Sequence, residues 1–130
     1  MGRAVFAAKF LGAKRAIGVE IDPGLCNASI ANLEKFALGQ EGIEFHCGGA
    51  EGFAPRDCTV IFVYNAFGPN TLGRVLDNLH TDIKRNPRQV RLVYFNPSYD
   101  DIVEKAGFLT RFDHWPKPPH RHPTSFWQTR

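Results

Sequence analysis

Glu20 is the residue whose type and place most directly suggest chemistry. It stands near the end of the short apolar run Arg15-Ala16-Ile17-Gly18-Val19-Glu20-Ile21. A carboxylate at the carboxyl end of a strand can accept hydrogen bonds from both hydroxyls of a ribose, although a solvated acid at a strand end needs no ligand. Gly2 precedes a helical pattern, where the missing Cβ lets backbone approach a ligand and the first turn offers unpaired N–H groups. Taken alone, Gly2 is equally an incidental glycine after an initiator methionine. Together, a glycine turn, one helix and a strand ending in an acid about 20 residues on form the arrangement that binds dinucleotide-type ligands.

Two asparagine loops follow later strand patterns: Asn65-Ala66-Phe67 and Asn96-Pro97-Ser98-Tyr99. An asparagine in such a loop can orient a substrate, and it can also simply cap a turn. Of the five histidines, His46 falls within a strand, and His114, His120 and His122 fall on or near the last strand pair. His120 and His122 alternate, but two ligands do not make a metal site, so no metal is expected. Cys26, Cys47 and Cys58 are an odd number without CxxC spacing. Neither a disulfide framework nor a zinc site is expected from them, and a reducing cytoplasm is the expected setting.

The elements that must position these residues follow from periodicity. Arg3 to Leu11 carries Val5, Phe6, Phe10 and Leu11 at helical spacing, with Gly12 as a stop. After the strand that carries Glu20, Asp22-Pro23 caps and opens a helix with Leu25, Ile30, Leu33 and Phe36, predicted to end near Gly39. Ile43 to Cys47 is predicted as a strand, followed by the Gly48-Gly49-Ala50 loop and a short turn through Phe53. Thr59 to Tyr64 is an almost unbroken β-branched and aromatic run, predicted to be a central strand covered on both faces.

A helix over Thr71 to Lys84 is predicted from Leu72, Val75, Leu76, Leu79 and Ile83. Then come a strand over Val90 to Phe95, a short helix over Tyr99 to Lys105, and strands over Phe108 to Trp115 and Ser125 to Thr129. The proline-rich residues 116–123 join the last two strands, most simply as an antiparallel pair. Alternating strands and helices predict an α/β fold with a mostly parallel sheet and helices on both faces. Such a sheet ordinarily starts with a strand, whereas this chain opens on a helix.

The totals bound the reading. The chain has 130 residues, 43% hydrophobic and 22% charged, which suits one folded domain over residues 1–130. The net charge of +3 is spread along the chain, so nucleic-acid binding is permitted but not indicated. No run approaches the roughly 20 apolar residues that span a bilayer, and the start lacks a secretory h-region. No internal repeat is present.

The segment from Met1-Gly2-Arg3-Ala4-Val5-Phe6-Ala7-Ala8 to Ile17-Gly18-Val19-Glu20-Ile21-Asp22-Pro23 resembles a class I S-adenosylmethionine-dependent methyltransferase, and the resemblance extends over the whole chain. It implies a three-layer Rossmann-like fold that ends in an antiparallel hairpin and here lacks the first strand and most of the glycine-rich loop. Gly2 would be the last glycine of that loop. Glu20 would hold the ribose hydroxyls and Ile21 would lie against the adenine. Many members carry an acid after strand three; Gly49 stands in its place here, leaving the Ala50 N–H to meet the adenine edge. Asn65 and Phe67 would orient and stack on the methyl acceptor, with Ala66 where relatives have proline.

The resemblance implies S-adenosylmethionine as cofactor, bound weakly or not at all by this chain, and an unassigned acceptor. The gap left by a central strand implies either a homodimer formed through the sheet opening, by exchange of elements or otherwise, or a rearrangement of the strands. Two other readings stand beside it: a non-catalytic module that keeps the fold, and part of an NAD-dependent oxidoreductase, which would need an intact G-x-G-x-x-G and would lack the terminal hairpin. Trp115 and Trp127 could stack on bases or pack the hairpin onto the sheet.

Overall fold

A computed structural model describes residues 2–36, 39–116 and 122–130, so Lys117, Pro118, Pro119, His120 and Arg121 of the proline-rich connection lie outside the described residues. The chain divides into two compact units, Met1–Phe53 and Ala54–Arg130.

The first unit contains α1 (Arg3–Phe10), β1 (Ala16–Glu20), α2 (Pro23–Leu33), β2 (Ile43–Cys47) and a 3-10 turn (Ala50–Gly52). β1 and β2 pair in parallel, from Ala16 opposite Ile43 to Glu20 opposite Cys47. α1 packs closely on this pair because β1 carries a glycine at the contact. A Cβ on Gly18 would lie 2.8 Å from the Phe45 ring and 3.0 Å from Val5. Phe6 of α1 meets Phe45 edge-on at 5.8 Å and Phe36 at 4.8 Å between ring centroids.

α2 starts where its sequence signals place it. The Asp22 carboxylate accepts the Leu25 N–H at 2.8 Å, with Pro23 in the first turn. The helix ends at Leu33 rather than near Gly39, and its buried residues are Cys26 and Ser29, while Leu25 and Ile30 are exposed.

The cysteine expectation is overturned, because Cys26 and Cys47 form a disulfide with Cα atoms 5.7 Å apart. A parallel strand pair explains it: α2 begins beside the carboxyl end of β1, and in register with that end lies Cys47 of β2. Side chains two apart on a strand share a face, so Phe45, which meets α1, and Cys47, which is bonded to α2, put both helices on one side of the pair. Cys58 remains a free thiol, and burial pushes its pKa up.

The second unit contains β3 (Val60–Tyr64), α3 (Pro69–Arg85), β4 (Arg91–Phe95), α4 (Asp100–Lys105), β5 (Leu109–Trp115) and β6 (Thr124–Thr129). Its strands run in the order β3-β4-β6-β5. β3 and β4 are parallel, whereas β6 is antiparallel to both β4 and β5, with an irregularity between Arg111 and Asp113. Across the two sheets, two of the four strand pairings are parallel, so the arrangement is mixed rather than mostly parallel. The terminal hairpin is present as expected, and β6 inserts between β4 and its own hairpin partner.

The core of this unit joins Val63, Leu92, Tyr94, Leu109 and Trp127 of the sheet to Leu72 and Leu76 of α3 and Val103 of α4. Leu72, Leu76 and Leu79 recur on one stripe of α3, the face its periodicity predicted. A polar chain runs through the core: the Trp127 indole N–H donates to Ser125 Oγ at 3.0 Å, and that hydroxyl donates to Asp100 of α4 at 2.6 Å.

Arg88 clamps the entry to the sheet. Its guanidinium pairs with Asp82 at 2.5 Å and donates to the carbonyls of Cys58, Asn86 and Pro55 at 2.8, 3.0 and 3.0 Å. Its side chain is 13% exposed and that of Asp82 is 20% exposed. Removing the cation leaves a sheltered carboxylate and unpaired carbonyls, so Arg88→Met is expected to cost roughly 2–4 kcal/mol in chemical denaturation. A change below about 0.5 kcal/mol, the scale of an ordinary surface substitution, would refute this account of the clamp.

β3 differs from its expected central place. It is the edge of the four-stranded sheet, and Val60, Phe62 and Tyr64 on its helix-free side are 60%, 53% and 54% exposed. The strands form two separate sheets, β1-β2 and β3-β4-β6-β5. An uncharged apolar edge invites pairing with another chain. Sedimentation at increasing concentration is therefore expected to give a weight-average mass rising above the 14.6 kDa of one chain. A constant monomer mass would count against that pairing.

Candidate functional site

Parallel pairing of β1 and β2 brings the loops that follow them to the same end of the first unit, where ligands bind in sheets of this kind. Glu20 ends β1. Its carboxylate accepts the backbone N–H of Asp22 at 2.9 Å, and its carbonyl accepts the N–H of Gly48 at 2.9 Å. The second bond ties the loop after β2 to the loop after β1. Ile21 follows at 72% exposure and presents an apolar side chain to solvent beside the acid.

Across from them, Gly48-Gly49-Ala50 leads into the 3-10 turn, closed by bonds from the Gly52 N–H to the Gly49 carbonyl and from the Phe53 N–H to the Ala50 carbonyl, both 3.1 Å. Gly49 has an ordinary extended φ of −66°. What surrounds it is informative: a Cβ there would lie 2.6 Å from Glu51 Oε1. The Glu51 carboxylate thus folds back over the position where the resemblance expects an acid. Sequence reasoning missed Glu51, because it compared side chains at one position and not the reach of an acid two residues on in a tight turn.

Gly2 caps α1 with a left-handed φ of 77°, and a Cβ on it would lie 2.8 Å from the Phe45 ring. Backbone conformation and packing therefore both call for glycine here. Gly2, Glu20, Ile21, Gly49 and Ala50 all belong to the first unit, and the last four lie at or just beyond the carboxyl ends of its two strands.

Asn65 and Phe67 belong to the second unit. Asn65 follows β3 with φ 34°, and Asn96 follows β4 with φ 53°, a conformation asparagine tolerates better than most residues. Tyr64 and Phe95 are register partners, so these asparagines are neighbours at the carboxyl ends of parallel strands. The Asn65 N–H donates to the Phe95 carbonyl at 3.1 Å, and the Asn96 N–H to the Pro123 carbonyl at 2.8 Å. Phe67 is partly buried against the core cluster, so its ring is committed to packing.

The Asn96-Pro97-Ser98-Tyr99 turn opens α4 and wraps Tyr94. Burial raises the Tyr94 pKa, while backbone hydrogen bonds from Ser98 and Tyr99 oppose the rise. A shallow depression lined by Ile83, Pro87, Arg88, Gln89, Thr129 and Arg130 lies at the amino end of β4, the end opposite the asparagines. Of the tryptophans, Trp127 is buried in the core, and Trp115 is 59% exposed with its ring edge-on to Phe126 at 4.8 Å.

Chemically, the first unit offers carboxylates, which only accept hydrogen bonds when ionised, beside an exposed aliphatic side chain. That set suits a neutral diol and an exocyclic amine flanking a flat apolar ring. It is unsuited to a ribose carrying a phosphate. Among the described residues no group of three His, Cys, Asp or Glu could hold a metal ion, and no helix is long and apolar enough to cross a membrane.

No protein-family model matches the chain, and no curated protein matches it. Solved structures do. An RNA methyltransferase from Salinibacter ruber in complex with S-adenosyl-L-homocysteine is 21% identical with a TM-score of 0.68, over 98% of this chain and 74% of that one. A protein of the NADB-Rossmann superfamily from Streptococcus agalactiae is 18% identical with a TM-score of 0.71, over 98% and 57%. A point mutant of MtNAS in complex with S-adenosylmethionine is 18% identical with a TM-score of 0.68, over 95% and 49%. The chain thus spans about half the length of the last two. These likenesses show the fold alone: the chain has a Rossmann-like α/β fold, which it shares with these proteins.

Proposed function

We propose that this chain is an S-adenosylmethionine-dependent methyltransferase domain whose first unit receives the adenosine part of the cofactor. The observation that carries the reading is the pair of acceptors on adjacent loops: the Glu20 carboxylate after β1, and the Glu51 carboxylate over Gly49 after β2. Glu20 would accept from the ribose hydroxyls, Ile21 would cover one face of the adenine, and Ala50 with Glu51 would meet its edge. The methionine part would meet Gly2 at the start of α1.

The bound cofactor would supply a methyl group already activated on a sulfonium. The protein's task is then placement, and no dedicated base is required for it. Asn65, exposed at the end of β3, is the side chain we assign to orienting the acceptor. Phe67 would act through it, by holding the loop against the core.

The β6 insertion between β4 and β5 supports this reading over an NAD-dependent oxidoreductase. Calorimetric titration with S-adenosylhomocysteine, adenosine and NAD separates them. S-adenosylhomocysteine and adenosine should bind with similar affinity and NAD more weakly. Tighter binding of NAD, or no heat from S-adenosylhomocysteine at millimolar concentration, would overturn the assignment. The exposed apolar edge of β3 favours a second reading, a non-catalytic interaction module, and that reading would survive the second outcome.

A further inference from the structure

We infer that Cys26 and Cys47 form a thiol–disulfide exchange site whose oxidation state controls the order of the loop beside Glu20. The bond joins the first turn of α2 to the last residue of β2, between cysteines 21 positions apart in sequence. Both ends abut the candidate site. Cys47 is the register partner of Glu20 and immediately precedes Gly48, whose N–H holds the Glu20 carbonyl. Cys26 donates its backbone N–H to the carbonyl of Asp22, the residue whose own N–H holds the Glu20 carboxylate. The disulfide therefore closes a ring through both flanks of the acid.

The two sulfurs differ in access. Cys26 is fully buried, and Cys47 is exposed. A thiolate reductant can reach Cys47 Sγ, form a mixed disulfide there and break the S–S bond. The electron pair leaves on Cys26 Sγ, in the first turn of α2, which takes up a proton as the bond breaks. A second thiol of a dithiol reductant then displaces Cys47 and closes its own disulfide. Two electrons and two protons pass to the protein, and the reductant is oxidised. Once the bond is cut, the loop from Gly48 to Gly52 keeps the Gly48 to Glu20 hydrogen bond and loses its covalent anchor. Glycines at 48 and 49 give it the most to gain in freedom.

Its effect on a ligand rests on the proposed function, whereas its effect on the loop does not. The test compares the whole chain oxidised with glutathione disulfide and reduced with dithiothreitol. Alkylation after unfolding should label one cysteine in the first sample and three in the second. Hydrogen exchange over residues 48–52 should be about tenfold faster after reduction, the expected consequence of losing a local constraint. In Cys47→Ser the reductant should have no effect. Three labelled cysteines in the oxidised sample, or equal exchange in both states, would overturn the inference.

S-adenosylhomocysteine should bind about fivefold more weakly to the reduced chain, through the loosened loop. Equal affinity in both states would overturn the control of the site even where exchange differs. No binding in either state would refute the proposed function instead, and the exchange data would still decide the redox site.

Discussion

Replacing Trp127 with alanine is expected to destabilise the second unit by about 3–5 kcal/mol, the usual range for emptying a buried aromatic site. The side chain is 2% exposed and sits among Leu72, Leu92, Val103 and Leu109. Its indole N–H holds Ser125 Oγ, and that hydroxyl is wholly buried and bonded to Asp100. Truncation therefore removes packing and loosens a hydroxyl that water cannot reach. Because small domains are stable by only about 5–15 kcal/mol, this loss is a large fraction of the total. Urea denaturation followed by circular dichroism measures the loss. Trp127→Phe, which keeps most of the volume, should cost less than half as much. A Trp127→Ala midpoint within experimental error of the parent would show that this cluster does not hold the unit together.

Glu20→Ala is expected to weaken S-adenosylhomocysteine binding by about 100-fold or more. Two hydrogen bonds to a charged acceptor are worth roughly 1.5–3 kcal/mol each, and every 1.4 kcal/mol is tenfold in affinity. The fold should survive, because the carboxylate's hydrogen bond to Asp22 is exposed. A ligand cycle isolates the contact. A 2′-deoxyribose analogue should bind the parent more weakly than adenosine does, yet bind Glu20→Ala about as well as adenosine does. Unchanged affinity of Glu20→Ala for adenosine would remove the ribose role and leave the fold alone.

Much of the architecture was legible because periodicity and local signals reinforced one another. Asp22-Pro23 announced α2, the spacing of Leu72, Leu76 and Leu79 announced α3, and all six strands fall where apolar runs predicted them. What sequence could not show was which neighbour each element meets. The run from Val60 to Tyr64 is apolar at every position, which normally signals cover on both faces, but exposure depends on whether a strand and a helix lie against it. Nothing within those residues reports that.

The disulfide was hidden for a similar reason. Cysteine pairing is set by spatial distance, and residues 26 and 47 meet only because a parallel crossover aligns the start of α2 with the end of β2. At the candidate site, Glu20 was legible from its place at a strand end. Glu51 was not, since a turn folds it back onto a glycine that, read by position, had lost an acid. Phe67 shows the opposite case: an aromatic side chain in a promising loop that the core already uses.

The sheet of the second unit carries its buried core on one side, while Phe62, Tyr64, Phe112 and Trp115 remain largely open to water. Environment-sensitive dyes adsorb to such apolar patches, so the native chain should fluoresce with them before any heating. Dye-based melting curves would then begin from a high baseline and understate cooperativity. Label-free calorimetry and circular dichroism are the suitable readouts for this molecule.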